Sequence, residues 1–111
     1  MWGKKSNELP IPPEAAASNN SAEMVRFWVA DGYDHVSLKL DMIQSTRDHH
    51  EAEIWGSILA DIAHHVVRGL PQTGCDDSPE VLFSLIQRGF AERLKEKANI
   101  TGGLLGSPDA H

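Results

Sequence analysis

At 111 residues with 41% hydrophobic side chains, the chain suits one domain with a modest core. Its net charge of −6 and pI of about 5.4 argue against binding nucleic acid or an anionic membrane, where clustered Lys and Arg supply the energy. A single cysteine, Cys75, excludes an internal disulfide, and no apolar run reaches the length that spans a bilayer, so a cytoplasmic protein is expected.

Residues 1–21 mix three prolines with small and polar side chains. They offer too little apolar surface to offset the entropy of ordering, so a flexible N-terminal arm is expected there. Leu9 to Pro13 could still dock on the domain as a short extended segment. No apolar stretch follows Lys4 and Lys5, which argues against a secretory signal. Residues 22–99 are read as a single α+β domain, and residues 100–111, rich in glycine, as a flexible tail.

Residues 23–30 alternate, with Val25, Phe27 and Val29 on one face and Arg26 and Trp28 on the other. Residues 35–40 alternate as well, with Val36, Leu38 and Leu40 opposite His35, Ser37 and Lys39. Asp31-Gly32 between them favours a tight hairpin turn. Parity tests the register. A two-residue turn pairs Val25 with Leu38 and Phe27 with Val36, so both apolar faces coincide. That face is expected to be covered by the helices that follow.

Beyond the hairpin the period changes. Ile54, Trp55, Ile58, Leu59, Ile62 and Val66 recur at helical spacing, which predicts a helix over 49–68. Asp48 and Glu51 suggest a capping box at its start, and Gly69-Leu70-Pro71 a stop. A polar loop, 72–77, follows. Ser78-Pro79 reads as an N-cap and first helical residue, opening a second helix over 79–98. Its apolar face carries Leu82, Ile86, Gly89, Phe90 and Leu94. Gly89 inside that stripe suggests a close approach to the first helix. The order is β-β-α-α, a hairpin packed on two antiparallel-like helices. A third strand from residues 9–11 or from a second copy would complete the sheet.

No phosphate-binding glycine loop, His-Glu-x-x-His, Cys-x-x-Cys or nucleophile elbow is present, so no catalytic residue and no cofactor are assigned. The histidines are the most suggestive feature. His49 and Glu53 share a helix face at i, i+4, as do Asp61 and His65, and such pairs can hold a metal. His50 and His64 stand about 21 Å apart along a straight helix and cannot share an ion. His64 should point to solvent and His65 to the edge of the apolar stripe. The default is therefore surface histidines with His65 satisfied by Asp61. Cys75 beside Asp76 and Asp77 is a bystander thiol, since the acidic neighbours disfavour the thiolate. Trp28, with Arg26 and Lys39 on the same hairpin face, is the candidate binding surface.

The stretches Val25 to Val29, Val36-Ser37-Leu38 and Trp55-Gly56-Ser57-Ile58-Leu59-Ala60-Asp61 resemble a family of short bacterial proteins, mostly alphaproteobacterial, known as a domain of unknown function. The resemblance covers residues 22–98. It implies small size, bacterial origin and cytoplasmic location, and transfers no activity. Two functions are then weighed. The leading one is a non-enzymatic interaction module that forms a homodimer through its hairpin. The alternative is a small metal-binding or acid–base protein using Asp61 and His65.

Overall fold

The computed structural model describes residues 7–41 and 49–101, with side chains to residue 98. The chain divides into two compact units, residues 1–44 and 45–111, each taken by itself below.

In the first unit a short helix, α1 (Pro13–Ala17), lies within the segment read from sequence as an arm. Pro13 opens it, where a missing N–H costs nothing. Ser21 closes it by donating its hydroxyl to the Ala15 carbonyl at 2.7 Å. Two antiparallel strands follow, β1 (Val25–Ala30) and β2 (Tyr33–Leu38). Asp31 and Gly32 form the connection with φ of 54° and 83°. Positive φ at both central residues twists the turn in the sense that strands favour, and Asp-Gly tolerates it. The register is the expected one, Val25 opposite Leu38 and Phe27 opposite Val36. Each strand is about two residues off the boundaries read from sequence. The sheet has these two strands among the described residues, and residues 9–11 do not add a third.

Within this unit nothing covers the face read as inward. Phe27 is 61% and Val36 47% exposed, with Val29 and Leu38 similarly uncovered. Trp28, read as the exposed aromatic, is half-buried.

The second unit holds α2 (Glu51–Gly69), a 3-10 turn (Leu70–Thr73) and α3 (Pro79–Thr101). The capping box sits two residues later than expected. His50 is the N-cap: its Nδ1 accepts from the Ala52 N–H at 3.0 Å, and Glu53 accepts from the His50 N–H at 3.0 Å. Asp48, the expected cap, lies outside the described residues. At the far end the chain tightens into the 3-10 turn and leaves it at Gly74, φ 99°. Ser78 caps α3 as expected, its hydroxyl accepting from the Val81 N–H at 3.2 Å.

α2 packs on α3 and on the 3-10 turn. Val67 and Leu82 are 4% and 5% exposed and form the core among the described residues. Ile54, Trp55, Ile58, Ile86 and Leu94 are half-buried. Trp55 donates its indole N–H to Glu51 at 3.0 Å, which satisfies the polar edge of a partly covered ring. The contact face of α2 turns along its length, from Ile54 and Ile58 near the start to Ala63 and Val67 near the end. Leu59, Ile62 and Val66 are left exposed in consequence. Phe90 is exposed too, and a Cβ placed on Gly89 would meet nothing within 4 Å. Close helix approach therefore does not account for that glycine.

Candidate functional site

The three residues of the candidate binding surface share one face of the hairpin. Arg26 and Lys39 line a shallow depression of about 340 Å³ together with Glu23, Ser37 and Leu38. Strand parity puts Trp28 on the same side, opposite His35.

Arg26 is already engaged. Its Nε and Nη2 donate to Glu23 at 3.1 and 3.0 Å, and its Nη1 meets Glu8 at 3.1 Å. Hydrogen bonding to Glu23 comes first among the causes that raise the guanidinium above its ordinary value, with Glu8 adding to it. The Glu8 contact ties the segment before α1 to this face of the sheet. Lys39 extends the pairing beyond β2 by donating its backbone N–H to Met24 at 2.9 Å. The Arg26 charge is thus spent within the unit, whereas the opposite face presents Phe27, Val29, Val36 and Leu38 uncovered.

The histidine candidates separate. His49 and Glu53 lie at the start of α2, where Glu53 serves the helix cap. Asp61 and His65 are both exposed, and no hydrogen bond or ion pair joins them. Among the described residues no three His, Cys, Asp or Glu side chains gather as metal ligands. Cys75 donates its thiol toward Asp77 at 3.6 Å.

His64 is exposed, as expected, and still meets a neighbouring ring. Its ring stacks on Phe83 with centroids 6.2 Å apart and planes at 28°. The pair stands in an open groove of about 610 Å³ formed by the end of α2, the 3-10 turn and the start of α3, lined also by His65, Arg68 and Gln72. The sequence reading passed over Arg68, although its i, i+4 spacing from His64 puts both on one helix face.

The model of a family described as a domain of unknown function (DUF5076) matches residues 8–98. The chain belongs to that family. The match begins at Glu8, inside the segment read as an arm and at the residue that holds Arg26. Among solved structures, this DUF5076 chain is similar to one described as "a putative pyruvate dehydrogenase from the photosynthetic bacterium Rhodopseudomonas palustrus CGA009". The two are 26% identical with a TM-score of 0.58, over 85% of this chain and 86% of that one. Among curated proteins none matches. No helix of the described residues is long and apolar enough to cross a membrane.

Proposed function

We propose that this chain is a non-enzymatic interaction module that self-associates through its hairpin. One observation carries the proposal: a two-stranded sheet whose apolar face, with Phe27 61% and Val29 68% exposed, is covered by nothing within its own unit. Isolated hairpins are marginal in water, and their unpaired edges invite another strand. A second copy adding a strand would satisfy the backbone groups and extend the Phe27 face, while Trp28 and Lys39 flank the junction. The dehydrogenase description of the solved neighbour applies to that protein, and no arrangement of side chains described above favours carrying it to this chain.

Light scattering on the full chain, from micromolar to millimolar concentration, tests the proposal. A dimer is expected, weakened by Phe27→Ser and by Trp28→Ser. A monomer at millimolar concentration whose Phe27 resonances are insensitive to dilution would overturn it.

A further inference from the structure

We infer that the groove between the end of α2, the 3-10 turn and the start of α3 binds a small carboxylate with a flat apolar body. It is an open groove of about 610 Å³. The polar groups that line it are His64, His65, Arg68 and Gln72, and no acidic side chain does so, in a chain of net charge −6. The groove thus carries one permanent positive charge, on Arg68, and no acidic side chain, on an acidic protein.

Arg68 separates this site from an ordinary surface. Arg26, Arg88 and Arg93 each hold a glutamate. Arg68 holds no carboxylate among the described residues, so its planar fork of donors remains available. A guanidinium takes a carboxylate through two parallel hydrogen bonds, a geometry that Lys cannot reproduce. Gln72 and His65 add further donors on the same wall.

The remaining walls select the body of the ligand. Phe83 and Pro79 are apolar, and the His64 ring stands beside Phe83 with centroids 6.2 Å apart. A charge contact alone would be weak in so open a place. An aromatic carboxylate also removes apolar surface from water against Phe83 and Pro79, which an inorganic anion does not.

The test is a chemical-shift titration of the ¹⁵N-labelled full chain with sodium benzoate, with benzamide and inorganic phosphate run at matched ionic strength. Saturable benzoate shifts clustered at residues 64–72 and 79–83 are expected. Arg68→Gln should weaken binding about tenfold, the usual loss for a charged hydrogen-bond partner. Lys95→Gln should leave it unchanged. Should Arg68→Gln disturb the fold, His65→Gln takes its place, with a smaller loss expected. Equal binding of benzamide would remove the charge requirement, and equal binding of phosphate the apolar one. Either result, no saturable benzoate shift, or full binding by the Arg68→Gln chain (or by His65→Gln where it takes its place) would overturn the assignment.

Discussion

In residues 1–44 a two-residue turn joins strands whose apolar side chains stand open, Phe27 among them. In residues 45–111 caps and a glycine-proline stop join helices that close over Val67 and Leu82. Local chemistry forms both sets of elements equally well. The Asp31-Gly32 turn and the Ser78 cap each satisfy or accommodate backbone through residues close in sequence. What differs is how much covering surface each unit supplies from within itself. Period-2 and period-3.6 patterns say which side chains share a face, and say nothing about what lies against it. The difference should appear directly in the energetics, since a truncated side chain costs stability in proportion to the surface it had removed from water.

The sharpest way to break the contrast is to empty both faces. Leu82→Ala should lower unfolding free energy by about 2–5 kcal/mol in denaturant titrations, the range for a buried leucine. Phe27→Ala, in dilute protein, should cost only about 1 kcal/mol, because the ring is largely in water already. Equal costs would mean that the hairpin face is a core in solution. The turn comes next. Gly32→Val forces a β-branched residue to positive φ, a strain of about 1–3 kcal/mol. Cross-strand nuclear Overhauser contacts between residues 25–30 and 33–38 should fade while the α3 amides stay protected. A smaller effect sharpens the helical side: Ser78→Ala removes a cap and should cost about 1 kcal/mol by thermal melting. The smallest effect has the opposite sign. Gly89→Ala adds a methyl into open space on a helix and should stabilise by roughly 0.5–1 kcal/mol. A loss instead would show that another surface approaches Gly89 in solution.

Legibility followed the same division. Strand register was readable because one parity alone aligns Val25, Phe27, Val36 and Leu38. The α3 start was readable because Ser-Pro is an unambiguous opening. The α2 cap was misplaced by two residues because His50, outside the preferred capping types, supplies the acceptor and Glu53 the return bond. Val67 is not legible from one helical phase along α2, because the contact face turns from Ile54 toward Val67. That turn leaves Ile62 and Val66 outside and brings His64 against Phe83. The groove was therefore illegible from one helix alone, since half of its wall comes from the 3-10 turn and α3. The Arg26 pairing with Glu8 was equally out of reach, because it spans a segment with no periodicity to place it.

The Asp31-Gly32 turn also governs the order of events in time. Strands joined by two residues meet without searching, and hairpins of this kind form within about 1–10 microseconds. Association of two chains is bimolecular and far slower at ordinary concentrations. Under the proposed self-association, a freshly made chain holds a finished edge before it meets a mate, and unpaired edges of that kind favour aggregation. Yield on refolding should therefore fall as concentration rises, and the decline should ease in Gly32→Val, whose edge is slower to assemble.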